Sequence, residues 1–222
     1  MKQQTGGGGR RPNAALTEEI ARLKAAWLQK WMPLLTSSEV PINPYRVVWD
    51  LRNTIDRTAA VATHDAGWPR DQMAPFWETP VPRGYLGWGH HSTLGFSVAG
   101  SIGAKLAEPT RTVLGFIGDG AFGEGGIEFE TAVRNQIPIL LVISNNSGLG
   151  HYSADTPAHW RYAGDYAKIA EGMGGHGERV EQPDEIIPAI KRALQAMQAG
   201  RAALLDVVTK LEWSSQSTGP KH

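Results

Sequence analysis

Between Thr112 and Asn146 an apolar run, a glycine-rich turn, a helix-like stretch and a second apolar run follow one another. This order constrains the fold more than any other feature of the chain. Thr112-Val113-Leu114-Gly115-Phe116-Ile117 and Ile137-Pro138-Ile139-Leu140-Leu141-Val142-Ile143-Ser144 are short runs of the kind buried on both faces of a parallel sheet. Ile127 to Gln136 reads as the crossover helix, with Phe129 and Val133 on one face. A strand, a crossover helix and a second parallel strand form a right-handed unit whose ligand crevice lies at the carboxyl ends of the strands. Asp119, within Gly118-Asp119-Gly120-Ala121-Phe122-Gly123, and Asn146, after Asn145, fall at such ends.

A carboxylate and a carboxamide at neighbouring strand ends can reach one hard divalent cation. Magnesium takes oxygen ligands in near-octahedral geometry, usually one or two carboxylates together with phosphate oxygens. Asp119, Asn146 and a backbone carbonyl just beyond would supply three protein oxygens and leave the rest to a diphosphate and water. The glycines around Asp119 let backbone come close, and the helix that follows begins with N–H groups suited to an anion.

Gly118-x-Gly120-x-x-Gly123 also fits the dinucleotide fingerprint, and a purely structural glycine-rich turn is a third reading. The first x, however, is Asp119. An ionised Asp about 4 Å from a phosphate charge costs on the order of 4 kcal/mol at an effective dielectric of 20, and a bridging cation reverses that sign. The dinucleotide fold also calls for an acidic residue about 20 positions on, where this chain has Ser144, Asn145 and Asn146. These two mismatches favour a metal–diphosphate site.

The remaining segments extend the same alternation. Residues 1–16, with Gly6 to Gly9 and two arginines, read as a disordered tail. Thr17 caps a helix running to Trp31, with Ile20, Leu23, Trp27 and Trp31 on one face and Pro33 as its stop. Residues 17–40 form a helical linker, 41–210 the main domain and 211–222 a flexible tail. Within that domain a helix from Pro44 carries Val47, Val48, Leu51 and Ile55 and leads to the strand Ala60 to Thr63. Helices are expected over Trp160 to Met173 and Asp184 to Gln198, the second ended by Gly200, and a strand over Ala203 to Val208. The class is α/β, an open, mostly parallel sheet with helices on both faces.

Composition narrows the function from outside. Twenty-two basic and 22 acidic residues cancel, which argues against a nucleic-acid surface or a membrane patch. The absence of cysteine excludes disulfides and thiolate metal sites. No apolar run approaches the length of a membrane span, so a soluble, cytoplasmic protein is the expectation.

Gly118-Asp119-Gly120, 24 residues from Ala121 to Ser144, then Asn145-Asn146 resembles the signature of thiamine diphosphate-dependent enzymes. Leu94-Gly95-Phe96, Ile102 to Pro109 and Phe129-Glu130-Thr131-Ala132 are similar to the group containing acetolactate synthase, benzoylformate decarboxylase and benzaldehyde lyase. The likeness covers about Pro41 to Thr209, the C-terminal diphosphate-binding domain of such enzymes. It implies that Asp119, Asn146 and the Gly148 carbonyl bind Mg2+. It further implies that backbone around Gly118, Gly120 and Ala121, with Leu149, Gly150 and the loop Ala66-Gly67-Trp68, holds the diphosphate. Leu94 matches the bulky residue beneath the bent cofactor, and the Ser92 carbonyl would face its aminopyrimidine amine. The chain departs from the family pattern at His90-His91-Ser92-Thr93, where small residues are usual, and at Trp68-Pro69. His90 and His91 are candidate acid–base groups, although adjacent histidines on such a loop are commonly solvated.

In the family the glutamate that activates the cofactor belongs to a separate pyrimidine-binding domain, usually from a partner subunit, and no stretch here corresponds to it. The resemblance therefore implies the diphosphate-binding part of a 2-keto acid decarboxylating or carboligating enzyme, a lyase or transferase, working within a homo- or hetero-oligomer. A non-catalytic cofactor-binding or regulatory remnant is the alternative.

Overall fold

Strands whose successive side chains point to opposite faces are apolar on both sides in this chain, and a sheet of that kind must be covered by helices twice. In the computed structural model, which describes residues 13–89, 91–148, 157 and 161–212, this is the arrangement. The strands are β1 (Ala60–His64), β2 (Tyr85–Leu86), β3 (Thr112–Gly118), β4 (Leu140–Asn145), β5 (His176–Val180) and β6 (Ala203–Val208). They form one six-stranded sheet in the order β2-β1-β3-β4-β6-β5, with every pair parallel.

Ala62, Leu114, Phe116, Leu140, Val142 and Leu205 enter one core. It is closed by α1 (Ala14–Leu35), α2 (Pro44–Thr54), α3 (Trp68–Met73) and α8 (Ile186–Gln198). Val61, Val113, Ile117, Leu141, Ile143 and Leu204 enter the other. That face is covered by α4 (Phe96–Ala107), α5 (Asp119–Gly125), α6 (Phe129–Arg134) and α7 (Tyr166–Gly172). No helix among the described residues is long and apolar enough to cross a membrane.

Helix α1 differs from its sequence expectation at both ends. Asn13, not Thr17, is the N-cap, its side chain accepting from the Leu16 N–H at 3.1 Å, while the Thr17 hydroxyl donates to the Asn13 carbonyl. Pro33 lies inside the helix, which continues to Leu35 before Thr36 closes it onto the Met32 carbonyl. An interior proline costs about 3 kcal/mol, but Trp31 and Leu35 on either side of it are both fully buried, and their packing outweighs that cost. The expected apolar face is graded. Trp31 is in the core, Trp27 packs against it, and Ile20 and Leu23 are more than half exposed.

Three other boundaries move for local reasons. The second central strand starts at Leu140 because Pro138 has no N–H to give to a ladder. The crossover is not one helix from Ile127 but α5, a 3-10 turn at Gly126–Glu128 and the short α6 in succession. Helix α7 starts at Tyr166, because the Asp165 side chain caps it by accepting from Lys168 N–H at 3.0 Å. Trp160, the expected first residue of that helix, lies outside the described residues, as do most of the two expected tails.

Trp31 is the centre of an aromatic group with Trp27, Tyr45 and Phe76, at ring-centroid distances of 6.0, 5.1 and 5.2 Å. Trp31→Ala is expected to lower unfolding free energy by about 3 to 5 kcal/mol, measured by urea denaturation. A loss below about 1 kcal/mol, the range of surface changes, would mean that α1 docks too loosely to belong to the cooperative unit.

Candidate functional site

Parallel register brings three strand ends to one edge of the sheet. His64 pairs with Phe116 and Gly118 with Ser144, so β1, β3 and β4 all release the chain at the same side. Above them lies a cavity of about 420 Å³. After β1 the chain turns through Ala66 and Gly67, whose φ of 76° favours glycine, into α3. After β3 it enters α5 directly at Asp119, and after β4 it bends through Asn146, Ser147 and Gly148.

The expected residues gather there by group. Ala66, Gly67 and Trp68 line the cavity from the β1 side, Ser92 and Leu94 from the loop before α4. Gly118, Asp119, Gly120 and Ala121 line it from β3 and α5, and Asn146 and Gly148 from the end of β4. Leu94 is half-buried and packs against the α4 side of the core. His91 is exposed and is not among the residues lining the cavity. His90, Leu149 and Gly150 lie outside the described residues. Pro69, Asp71 and Ser144 also line the cavity without having been expected; Asp71 is paired with its neighbour Arg70 at 2.6 Å.

Asp119 is buried, with 3% of its surface exposed. Its Oδ1 accepts from Gly120 N–H at 2.8 Å and its Oδ2 from Gly148 N–H at 3.0 Å. That same Gly148 amide donates to Asn146 Oδ1 at 3.1 Å. The carboxylate and carboxamide oxygens thus converge on one backbone hydrogen. Burial pushes the Asp119 carboxyl up to about 6, against the pull of these N–H groups, and no Lys or Arg among the described residues offsets it. A buried carboxylate without a cationic partner, beside a second oxygen donor and facing a cavity, is a donor set that fits a hard divalent cation.

Neighbouring asparagines do different work because the strand alternates its side chains. Asn145 turns into the sheet, where its Nδ2 donates to Asp206 Oδ1 at 2.8 Å and its Oδ1 accepts from Ser147 N–H. Asp206, fully buried, also accepts from Tyr166 N–H and from Arg179 at 2.7 Å. Asn145 therefore shapes the loop, and Asn146 faces the cavity.

Sequence reasoning missed Asp65. It follows β1 as Asp119 follows β3, and that parallel is the signal that could have identified it. Asp65 is fully buried; its Oδ1 accepts from Ser97 N–H at 2.7 Å and Ser97 Oγ–H at 3.0 Å, its Oδ2 from Gly95 N–H at 3.1 Å. Burial also raises this carboxyl to about 6.

Comparison with known proteins identifies the family. The family described as "Thiamine pyrophosphate enzyme, C-terminal TPP binding domain" matches residues 65–207. The "Probable acetolactate synthase large subunit" of Methanocaldococcus jannaschii is 30% identical over 216 residues, 88% of this chain and 36% of that protein. The acetolactate synthase large subunit IlvG of Mycobacterium tuberculosis is 33% identical over 183 residues, covering 79% and 33%. A 2-hydroxyacyl-CoA lyase of Oryza sativa subsp. japonica is 28% identical over 227 residues, covering 95% and 39%. The chain thus spans between a third and two fifths of the length of these relatives. With the strand-end cavity and the match over residues 65–207 together, the chain belongs to the thiamine pyrophosphate enzymes, as their C-terminal cofactor-binding domain.

Proposed function

We propose that this chain binds Mg2+ and thiamine diphosphate, and serves as the diphosphate-binding part of an acetolactate synthase-like enzyme that decarboxylates or ligates 2-keto acids. The observation that carries this reading is the convergence of Asp119 Oδ2 and Asn146 Oδ1 on the Gly148 amide at the cavity. Asp119, Asn146 and the Gly148 carbonyl would hold the cation, and the cation would in turn hold the diphosphate. Backbone at Gly118, Gly120 and Ala121 and at the Ala66–Trp68 turn would orient it. When bound, the cofactor supplies a carbon nucleophile and an electron sink for 2-keto acid chemistry. Leu94 would support it, and Trp68, Pro69 and Ala121 would give it apolar surroundings.

The acidic residues among the described lining are Asp71 and Asp119, and neither is a glutamate. In this reading the carboxyl that activates the aminopyrimidine is contributed by a pyrimidine-binding domain of another chain, within a homo- or hetero-oligomer. Two of the relatives carry acetolactate synthase in their names and one a 2-hydroxyacyl-CoA lyase. That split supports the reaction class rather than one substrate.

Titration calorimetry with thiamine diphosphate and Mg2+ tests the metal assignment. Asp119→Ala is expected to weaken magnesium-dependent binding by more than about 100-fold, beyond the loss typical of an outer partner of a metal ligand. Asn146→Ala removes a neutral oxygen and should cost less. Affinity unchanged in Asp119→Ala would remove the cation from this site.

The same carboxyl sets a pH dependence. Below about pH 6 Asp119 in the metal-free chain holds a proton that competes with the cation, so affinity should fall as pH drops from 7.5 to 5. Stability runs the other way. A carboxyl raised from 3.8 to about 6 contributes stability that is full below 3.8 and lost as pH rises through about 6. Without cation, Asp119→Asn should therefore gain on wild type as pH rises through that window, by up to about 3 kcal/mol. A stability difference that stays flat from pH 4 to 7 would contradict the assignment of the buried charge.

Carbon dioxide release from pyruvate with Mg2+ and cofactor is expected to be absent for the chain alone and to appear on adding a pyrimidine-domain chain. Turnover by the chain alone would refute the need for a partner. Tight cofactor binding with no turnover beside an intact partner would instead favour a non-catalytic remnant.

A further inference from the structure

Ser92 and Leu94 line the cavity from a loop that belongs to neither sheet nor helix, so something outside the loop must fix where they stand. Helix α4, which the loop leads into, has Gly95 at its N-cap and no side-chain cap of its own. The carboxylate of Asp65 takes that place from a different element, 30 and 32 residues earlier in the chain. It accepts the N–H groups of Gly95 and Ser97 and the Ser97 hydroxyl. One residue further on, Ala66 N–H donates to the Thr93 carbonyl at 3.2 Å, and Asp65 N–H itself is held by the Phe116 carbonyl of β3. Leu94 therefore sits between two residues, Thr93 and Gly95, that are each bonded to the turn after β1.

The opposite flank of this loop leaves no slack. Gly95 has a φ of 77°, and its backbone lies so close to the end of α5 that a Cβ on Gly125 would stand 2.8 Å from the Gly95 carbonyl oxygen. The backbone of Gly125 itself, packed against that of Gly95, thus limits movement of Gly95 toward α5, and Asp65 limits movement away from it. We infer that Asp65 is the positioning residue of this cavity, holding Leu94 in place through its bonds to Gly95 and Ser97. Its action on the cofactor rests on the reading of the cavity as a thiamine diphosphate site, whereas its action on the loop does not.

An ordinary helix cap and a positioning residue differ in what they couple to. Asp65→Asn keeps the shape but has one acceptor oxygen where the aspartate has two, so Gly95 and Ser97 cannot both be satisfied. Amide hydrogen exchange on the full chain is expected to quicken at least about tenfold over residues 93–98, with β3 and β4 unchanged, the signature of local opening. In calorimetric titration with thiamine diphosphate and Mg2+, Asp65→Asn and Leu94→Ala are each expected to weaken binding by about 5- to 10-fold. The double variant should be no weaker than the worse single one, because the two changes act on one contact. Ser97→Ala, which removes only the hydroxyl bond, serves if Asp65→Asn fails to fold, and should show the same non-additivity with Leu94→Ala at smaller size.

Losses that multiply in the double variant would reduce Asp65 to a structural cap and overturn the inference. So would quickened exchange with unchanged affinity, or exchange that does not change. Should wild type bind no thiamine diphosphate, the proposed function fails, and the exchange result over residues 93–98 alone decides whether Asp65 holds the loop.

Discussion

Parallel pairing of β3 with β4 is the constraint on which the site depends. Gly118 stands opposite Ser144, so the chain leaves both strands at one level and the side chains that follow are delivered to a single amide, that of Gly148. Pairing of β1 with β3 on the other side adds Asp65 and the Ala66–Gly67 turn to the same edge. The loops themselves have little with which to hold such an arrangement. What holds it is the sheet beneath, whose strands contribute alternate side chains to two separate cores. A slip by one residue would send each side chain to the wrong core.

Three buried aspartates at the carboxyl edge show how one residue type is set to different work by its surroundings. Asp206 is compensated by Arg179 and Asn145 and ties β4, β5, β6 and α7 together. Asp65 spends both oxygens on donors from the start of α4, and Asp119 spends its own on backbone at Gly120 and Gly148 beside the cavity. In all three desolvation is the largest influence and raises the carboxyl; Arg179 and Asn145 oppose it at Asp206, whereas N–H groups and the Ser97 hydroxyl oppose it at Asp65, and N–H groups alone at Asp119. Asp119 alone of the three lines the open volume, where an added cation could complete its environment.

Much of this was readable from residues. Apolar runs of six to eight residues around Leu114 and Leu141 announce doubly covered strands, and the glycines beside Asp119 announce a close backbone approach. Elements whose stability comes from tertiary contact were not readable. Strand β5, His-Gly-Glu-Arg-Val, is a charged edge strand with no apolar pattern. Helix α4 carries Ser97, Gly100, Ser101 and Gly103, residues of poor helix propensity, and depends for its start on a carboxylate from another element. Pro33 misleads for the same reason, since the burial of Trp31 and Leu35 is invisible to a local rule. In the site, positions at strand ends follow from periodicity, Asp65 after β1 included, whereas its partners Gly95 and Ser97 required knowing which loop would lie against β1.

The divergent orientations of Asn145 and Asn146 bear on how this chain can change length. Which asparagine reaches the cavity is decided by the pleat of β4, counted from its first paired residue, Leu140. Residues gained or lost in the crossover from Gly126 to Ile139 leave that phase untouched, because the strand re-enters the sheet wherever its pairing begins. A single insertion between Leu140 and Asn145 would bring Ser144 to the inner position and Asn145 to the cavity-facing one, so that Asp206 loses its amide donor and keeps only Arg179 and the Tyr166 N–H. Variation in length among homologous chains should therefore collect in the crossover and avoid the six residues of the strand.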